Sequence, residues 1–451
     1  MSDTPICTGA CIFGKCPNKT CVKYSQSGPH RTLKAEMSIL TAGNLPKGPT
    51  GKSGFGIAVD IGTTTVAAYL YDFEKGECVG VESALNPQVS FGVDVISRIK
   101  YCRDKAGGVH ELAESIRACV GALSRTLCER QGVLPEKVGE MAVTGNTTMM
   151  HLFADVDPSP MGEAPFTVPE YFGDTRSAAL LGLPMGGQVY LARCISAFVG
   201  GDITSAILSS GMRNDKASLL MDIGTNGEVA LYADGRLFVT STAAGPAFEG
   251  AELSCGMAAV KGAASAVYAL SGEIRTSVIG GAQAKGLCGS GVIDAIALMK
   301  TSGAMDETGR ILEGPHTVEV DGAPAFRVAE GILVTQRDVR RIQTAKSAIA
   351  AGVLALLHRA GLTVDKLDAV YVAGGFGNYM DGESAIAIGL LSPEFRQILK
   401  NIGNAAGAGA GMALVKGEYL AEHRHIADAA QHVELSTDAY FMEKYIDCMM
   451  F

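Results

Sequence analysis

One short motif occurs twice in the chain, and this repeat limits the possible fold more than any other feature. In the first copy, an apolar run ends at Asp60 and continues through Ile-Gly-Thr into a second apolar run. The same order returns from Asp222, and the segments 60–72 and 222–234 also agree at an alanine and at their final aspartate. Each copy has the pattern of a strand, a tight turn and a second strand. A repeated unit of this kind predicts two related halves within one chain.

A second pair of similar segments supports the duplication. Residues 141–150 and 369–378 each run from an apolar strand through glycine into a predicted helix. Each half is therefore expected to begin with a hairpin and to end with a strand-to-helix turn. The chain has 451 residues, 47% of them hydrophobic and 19% charged, which is enough to bury more than one core. We predict an α/β protein with two related subdomains.

The repeated turn has the chemistry of a phosphate site. Glycine lets the backbone approach a phosphate closely, and threonine hydroxyls add hydrogen-bond donors. A carboxylate beside a phosphate needs a cation, and Mg²⁺ accepts carboxylates, waters and phosphate oxygens as ligands. We therefore predict that Asp60 and Asp222 flank one hydrated Mg²⁺. The predicted phosphate-binding residues are Gly62, Thr63, Thr64 and Thr65 in the first turn, and Gly224, Thr225, Asn226 and Gly227 in the second.

Charge and hydropathy exclude two classes of partner. The formal net charge is -9 at pH 7, and no long run of Lys and Arg could neutralise a nucleic-acid backbone. No apolar run reaches the ~18 residues that a membrane span needs, and the N-terminus lacks the order of a signal peptide. We expect no nucleic-acid partner and no membrane partner, and we predict a cytoplasmic protein.

Four of the 12 cysteines lie close together near the N-terminus, and we call them the cysteine tract: Cys7, Cys11, Cys16 and Cys21. The other cysteines are scattered along the chain. In a reducing compartment, such a tract indicates metal ligation before disulfides. Four thiolates in one short segment can enclose a [4Fe–4S] cluster. Zinc and unligated thiols are the alternatives that the spacing leaves open.

A change of composition follows the cysteine tract. Residues 42–54 are rich in Gly, Pro and Lys and show no apolar period, which is typical of a linker. We therefore predict a cysteine-rich head and linker at residues 1–50, a first subdomain at residues 51–205 and a second at residues 206–451.

Two segments of the second half predict helices. A capping box from Thr335 to Asp338, with Asp in place of the usual Glu, predicts a helix that runs to about Leu357. Residues 403–411 alternate Gly and Ala, which favours a helix packed tightly in a soluble core.

The motifs, in their order, resemble those of the superfamily of actin, sugar-kinase and heat-shock-chaperone ATPases. Its phosphate, connecting and adenosine motifs are similar to DIGTTT (60–65), GNTTM (145–149), DIGTNGE (222–228) and AGGFG (373–377). Further segments resemble the reductive activators of corrinoid proteins, and this resemblance spans about residues 54–415. These segments are NPQVSFGVDVISRI (86–99), STAAGPAFEGAELSCGMAA (241–259), GLCGSGVIDAI (286–296) and TQRDVRRIQTAKSAIAAGV (335–353).

The resemblance implies two duplicated RNase-H-like subdomains of the actin-like ATPase kind around an ATP cleft, preceded by the cysteine-rich head. It implies an ATP-hydrolysing reductive activase that uses ATP and Mg²⁺ to drive an electron from an iron–sulfur cluster onto the cobalt(II) of a corrinoid protein. The restored cobalt(I) then serves methyl transfer. An upstream low-potential electron donor is implied as well, and the oligomeric state stays open between monomer and homodimer.

The resemblance also assigns roles to single residues. Gly374 and Gly375 fall in the adenosine motif, and Lys346 falls where related ATPases contact adenine, with a solvated helix face as the alternative. Separately from the resemblance, Glu249 lies in the glycine-rich loop after Asp222, where it would orient the attacking water. The best-known members of the family carry a plant-type [2Fe–2S] domain or a ferredoxin-like extension, and the cysteine tract matches neither. The family therefore does not decide the cluster type, and [2Fe–2S] stays an alternative to [4Fe–4S].

Three other functions stay open at this stage. They are a small-molecule kinase of the same fold, a non-catalytic ATP-sensing module, and an activator of 2-hydroxyacyl-CoA dehydratases. The last class clamps a cluster between subunits with two cysteines per chain, and Cys255 and Cys288 would be those cysteines here. Both lie among small residues, however, where a buried thiol packs like a small hydrophobe. Cys448 has no readable role.

Overall fold

The computed structural model describes residues 45, 47–48, 50–183, 185–374 and 379–451. Its first half is built on a six-stranded sheet with the strand order β3-β2-β1-β4-β6-β5. The strands are β1 (Phe55–Ile61), β2 (Thr65–Asp72), β3 (Glu77–Leu85), β4 (Val138–Gly145), β5 (Thr175–Ser177) and β6 (Gln188–Leu191). The helices of this half are α1 (Val95–Asp104), α2 (Gly108–Gln131), α3 (Thr147–Ala154) and α4 (Gly201–Ser210).

The second half contains another six-stranded sheet, with the order β17-β16-β7-β8-β9-β18, and two inserted three-stranded sheets. Its strands are β7 (Ala217–Ile223), β8 (Gly227–Ala233), β9 (Arg236–Thr242), β10 (Ala263–Leu270), β11 (Glu273–Val278), β12 (Gly286–Leu287), β13 (Thr317–Val320), β14 (Ala323–Ala329), β15 (Ile332–Thr335), β16 (Ala369–Ala373), β17 (Leu399–Gly403) and β18 (Ala430–His432). Its helices are α5 (Gly289–Thr301), α6 (Gln336–Ala360), α7 (Gly382–Ala387), α8 (Ala405–Val415), α9 (Glu418–Ala429) and α10 (Ala439–Asp447).

The two large sheets have the same topology over five strands. In each, three consecutive strands pair antiparallel, and a fourth and a fifth strand then pair parallel beside the first strand. The order β3-β2-β1-β4-β6 in the first half therefore equals β9-β8-β7-β16-β17 in the second. This equality confirms the predicted duplication and the actin-like α/β fold.

The equivalent strands place the two predicted aspartates at equivalent points. Asp60 is the last but one residue of β1, and Asp222 is the last but one residue of β7. Each lies beside the carboxyl end of a parallel neighbour, β4 or β16. In open α/β sheets, ligands bind outside the carboxyl ends of such strands.

The central strands are apolar on both faces because helices cover both sides of each sheet. In β1, Ile57 and Val59 pack into a core with α2 and α3, whereas Ala58 faces α8. In β7, Leu219 packs into the core with α5 and α6, whereas Leu220 faces α4. Helices α4 and α8 pack against each other and contact strands of the first sheet, and α4 also contacts β7 and β8 of the second.

The contact between α4 and α8 depends on small residues, as the alternating Gly and Ala of the sequence predict. A Cβ on Gly409 would lie 2.1 Å from the Ser205 carbonyl oxygen of α4. A Cβ on Gly411 would lie 2.2 Å from the Tyr71 hydroxyl of β2. Any larger side chain at either position would push α8 away from its neighbours.

We expect Gly409→Ala to lower the stability of the protein by about 1–3 kcal/mol, because its methyl group has no room beside Ser205. The midpoint of chemical denaturation measures this effect. Gly139→Ala is the matched control, since a Cβ there meets no atom within 4 Å. Equal midpoints for Gly409→Ala and the wild type would contradict this prediction, since they would show that α4 and α8 can move apart without loss of stability.

The capping box predicted at the start of α6 is confirmed. The Thr335 side chain accepts a hydrogen bond from the Asp338 N–H, and the Asp338 side chain accepts one from the Thr335 N–H. The helix continues to Ala360, three residues beyond the predicted end, and stops at Gly361 with φ 72°. None of the helices in the described ranges is both long enough and apolar enough to cross a bilayer.

Candidate functional site

Two short turns follow β1 and β7, and we name them turn 1 (residues 62–65) and turn 2 (residues 224–227). In turn 1, the Gly62 N–H donates to the Thr65 carbonyl at 2.9 Å. In turn 2, the Gly224 N–H donates to the Asn226 carbonyl at 2.9 Å. The duplicated motif therefore forms a tight turn in both halves, and one isoleucine separates each turn from its predicted Mg²⁺-binding aspartate.

Glu249 joins the two turns. It ends a short 3-10 helix, Pro246–Glu249, that follows β9. The Thr64 hydroxyl of turn 1 donates to Glu249 Oε2 at 3.3 Å. The Thr225 hydroxyl of turn 2 lies 3.1 Å from both carboxylate oxygens. Turn 1 and turn 2 therefore face one carboxylate from opposite halves of the chain.

Several carboxylates interact at this place. Burial raises the pKa of Asp60 to about 6, although a hydrogen bond from the Asn404 side chain at 2.8 Å opposes the shift. Burial and then the charges of Asp60 and Glu249 raise the pKa of Asp222 to about 7. Burial and the charges of Asp222 and Asp60 also raise the pKa of Asp202. These acids repel one another whenever they are ionised without a cation between them.

Glu228 and Glu249 extend the same cluster. Burial, with the charges of Asp202 and Asp222, raises the pKa of Glu228 well above its usual range. Burial also raises the pKa of Glu249, against the hydrogen bonds from Thr225 and Thr64. We call these five acids the carboxylate cluster: Asp60, Asp202, Asp222, Glu228 and Glu249.

The carboxylate cluster fits a magnesium nucleotide better than a bare metal ion. In the described part of the chain, no group of three or more His, Cys, Asp or Glu side chains is arranged to hold a metal ion by itself. Mg²⁺ usually binds proteins through one or two carboxylates and completes its shell with waters and phosphate oxygens. Asp60 and Asp222 would supply those carboxylates, and the cation would offset the repulsion within the cluster.

The predicted adenosine motif is partly described. Gly374 follows β16 with φ 88°, a conformation that L side chains rarely adopt. A Cβ there would lie 2.7 Å from Asp222 Oδ1, so the backbone passes directly beside the carboxylate cluster. Gly375 lies outside the described residues.

Gly227, at the end of turn 2, lies against α6. A Cβ on Gly227 would meet Ile349 Cγ1 at 2.6 Å, and the Thr242 hydroxyl donates to the Gly227 carbonyl at 3.0 Å. The turn is thereby held close to the helix that also carries Lys346.

Lys346 is buried on α6, and its ammonium group binds the C-terminal segment. Its Nζ donates to the carbonyls of Cys448 at 2.6 Å and Met450 at 2.5 Å, and it lies 4.9 Å from the centre of the Phe451 ring. Burial lowers its pKa to about 8. A contact between Lys346 and adenine would have to replace these carbonyls, and this role stays a prediction.

The cysteine tract, Cys7, Cys11, Cys16 and Cys21, lies outside the described residues. Cys255 and Cys288 are 8% and 4% exposed, which confirms that both thiols are buried. Burial raises the pKa of Cys255 to about 12, so its thiol stays protonated at neutral pH. The Cys448 thiol is partly buried beside Lys346.

Sequence reasoning did not assign four polar residues near the turns. Asp202 follows two glycines at the start of α4, a helix-start signal that could have indicated it. Glu228 comes directly after turn 2, and Asn404 caps the Gly-Ala helix α8. Asn146, in the connecting motif, donates to the Thr63 hydroxyl at 3.1 Å. Glu228, Asn404 and Asn146 lie within or next to motifs that the sequence did identify, whereas Asp202 lies outside all of them.

Comparison with known proteins found two matching family models. The model described as the RACo middle region matches residues 55–215. The model described as the C-terminal domain of RACo, the ASKHA domain, matches residues 216–451.

Individual relatives agree with the family models. The corrinoid activation enzyme RamQ of Eubacterium limosum is 35% identical over 443 residues, covering 92% of this chain and 74% of that protein. The [Co(II) methylated amine-specific corrinoid protein] reductase of Methanosarcina barkeri is 26% identical over 437 residues, covering 87% and 76%. A solved reductive activator for corrinoid, iron-sulfur protein aligns with a TM-score of 0.80 and 35% identity, covering 88% of this chain and 66% of that one.

Proposed function

This chain belongs to the RACo family, and from that premise we propose that it is an ATP-hydrolysing reductive activase of a corrinoid protein. Its substrates are ATP and the cobalt(II) form of the corrinoid protein, and its product is the cobalt(I) form that accepts a methyl group. The observation that carries the ATP-dependent part is the contact of Glu249 with both Thr64 and Thr225.

The chain's own residues have distinct roles at the nucleotide. The amides and hydroxyls of turn 1 and turn 2 bind the phosphates from the two halves. Asp60 and Asp222 would hold Mg²⁺, which would supply positive charge beside the phosphates. Glu249 lies between the turns, where its carboxylate can orient the attacking water. Gly374, and Gly375 after it, would let the backbone approach the nucleoside.

ATP acts by changing the relation between the halves. A nucleotide held by both turns binds the closed arrangement better than an open one, and a ligand shifts a two-state equilibrium only through such differential affinity. Asn404, at the start of α8, donates a hydrogen bond to Asp60 of the first sheet. A residue of the second half therefore contacts the aspartate of the first half directly. Closure would present a surface that binds the corrinoid protein. Hydrolysis of ATP would reopen the halves and release the corrinoid protein.

The redox step transfers one electron to cobalt(II), which becomes cobalt(I). A cluster held by the thiolates of Cys7, Cys11, Cys16 and Cys21 would supply a one-electron centre, with [4Fe–4S] favoured over [2Fe–2S]. An upstream low-potential electron donor would reduce that centre again after each transfer. An uphill one-electron step of about 60 mV costs a factor of ten in the equilibrium, which ATP-driven complex formation can offset.

The proposed function also has a proposed location and domain organisation. We propose a cytoplasmic protein with the head at residues 1–50 and the two subdomains at residues 51–205 and 206–451, as monomer or homodimer. The family models meet ten residues later, between residues 215 and 216, just before β7.

An anaerobic absorbance assay tests the proposed function. Reduced protein is mixed with a cobalt(II) corrinoid protein and a low-potential reductant, with ATP, without ATP, or with a non-hydrolysable ATP analogue. We expect a several-fold higher yield of cobalt(I) with ATP than without it. The analogue permits closure but not release, so it should give no more than one cobalt(I) per protein. Equal yields in all three would contradict the proposal, and phosphorylation of a small metabolite in a parallel screen would favour a kinase.

A further inference from the structure

The carbonyls of turn 1 are bound from behind by residues that follow β3. The Asn86 N–H donates to the Thr64 carbonyl at 2.8 Å, and the Asn86 side chain donates to the Gly62 carbonyl at 2.9 Å. The Arg98 guanidinium of α1 donates to the Thr63 carbonyl at 2.6 Å. Hydrogen bonds from Asn86 and Arg98 thus hold the carbonyls of three successive residues of turn 1.

Fixing these carbonyls also fixes the N–H groups of the same peptides. In a trans peptide, the N–H points away from the C=O. The N–H groups of Thr63, Thr64 and Thr65 therefore point away from Asn86 and Arg98. Within the described ranges, no acceptor binds the N–H of Thr63 or of Thr64. Backbone donors of an ordered turn are normally paired, so two free ones indicate a place for an acceptor such as a phosphate.

Arg98 is a buried cation that forms no ion pair with the residues that the structure describes. Its side chain is 0% exposed, and its other donors bind the Gly92 carbonyl at 2.9 Å, Gln88 Oε1 at 3.2 Å and Met149 Sδ at 3.0 Å. Burial lowers its pKa to about 10, against the charge of Asp94, so the group stays ionised at neutral pH. No carboxylate of the described residues contacts it. A buried charge of this kind costs stability unless an anion compensates it.

Turn 2 differs from turn 1 in the residues that bind its carbonyls. No Arg or Lys of the described residues donates to the carbonyls of Gly224 or Thr225, and the Thr225 side chain is directed to Glu249. The two turns therefore have equivalent backbones, but among the described residues a carbonyl of turn 1 accepts a hydrogen bond from an arginine and those of turn 2 do not.

We infer that Arg98 is a positioning residue for the nucleotide: it orients the amides of turn 1 toward a phosphate and places a positive charge behind them. Its hydrogen bond to the Thr63 carbonyl polarises that peptide and makes the Thr64 N–H a stronger donor. This inference rests on the proposed function, because it requires a nucleotide phosphate at turn 1.

The test is calorimetric titration of the full-length protein and its Arg98→Met and Arg98→Lys variants with Mg·ATP and with adenosine. Arg98→Met removes the charge, and we expect its affinity for Mg·ATP to fall about tenfold or more. Its affinity for adenosine, which has no phosphate, should not change. Arg98→Lys keeps the charge but cannot make the same set of hydrogen bonds, so a severalfold loss is expected. Arg117→Met is the matched control, since Arg117 donates to the Phe153 carbonyl away from the turns.

Unchanged affinity of a folded Arg98→Met variant for Mg·ATP would overturn the inference, and so would an equal loss of affinity for ATP and adenosine, which indicates a purely structural role. If Arg98→Met does not fold, Arg98→Lys decides: a selective loss for ATP supports the inference and wild-type affinity overturns it. A wild-type protein that bound no Mg·ATP would instead refute the proposed function, and this inference with it.

Discussion

Replacing Asp222 with asparagine is expected to slow ATP hydrolysis on the order of a hundredfold while leaving the nucleotide-free protein at least as stable as the wild type. Asp222 repels its neighbours in the carboxylate cluster when no cation is present, and asparagine keeps its shape without its charge. The same change should weaken the proposed binding of Mg²⁺. A ligand that binds only the folded state raises the denaturation midpoint, so Mg·ATP should raise it for the wild type and not for the variant.

Phosphate release and the denaturation midpoint, each measured with and without Mg·ATP, test this prediction, and Asp60→Asn should behave in the same way. Asp72→Asn is the matched control. Asp72 ends β2, where its side chain accepts hydrogen bonds from the N–H groups of Glu74 and Lys75, and its amide variant can still accept them. Wild-type hydrolysis by both Asp222→Asn and Asp60→Asn would show that the nucleotide does not bind between the turns.

The second large effect is expected from Cys16→Ser. Protein purified without oxygen should contain iron and acid-labile sulfide, and replacing one of four thiolate ligands should remove or alter the cluster. Without its one-electron centre, the protein should produce no more cobalt(I) with ATP than without it. Iron and sulfide analysis, the absorption spectrum and the cobalt assay measure the three consequences.

Cys119→Ser is the control for the cysteine prediction. Cys119 lies on α2, is partly buried and has a thiol whose pKa burial raises, so it is not suited to bind iron as a thiolate. This variant should keep the iron content and activity of the wild type. Stoichiometric zinc without iron in the wild-type protein would refute the iron–sulfur assignment.

Features that depend on near neighbours in the chain could be predicted from the sequence. The hairpins of β1–β2 and β7–β8, with an aspartate before each turn, follow from patterns of about a dozen residues. The start of α6 follows from the capping box, because its partners are only three residues apart. The end of α6 was predicted three residues early, although Gly361 is itself a common stop signal.

Contacts between distant residues were not predicted in this way. The position of Lys346 on a helix was clear, but its two carbonyl partners lie about a hundred residues later in the chain. The same holds for Asn404, which reaches Asp60 only because α8 packs across the first sheet. For Arg98, nothing in its own helix indicates a bond to the Thr63 carbonyl.

Local sequence patterns are sufficient to predict two copies of one strand–turn–strand unit, each with an aspartate just before a glycine turn. Strands, turns and caps are set by residues a few positions apart, so a repeat in sequence becomes a repeat in structure. Packing between distant segments sets three further relations: both turns meet at Glu249, Asp202 and Glu228 join the two aspartates, and a buried arginine supports turn 1. Among the described residues, no arginine supports turn 2 in this way. Those relations depend on how the two sheets pack around α4 and α8, and burial there turns separate acids into one interacting cluster.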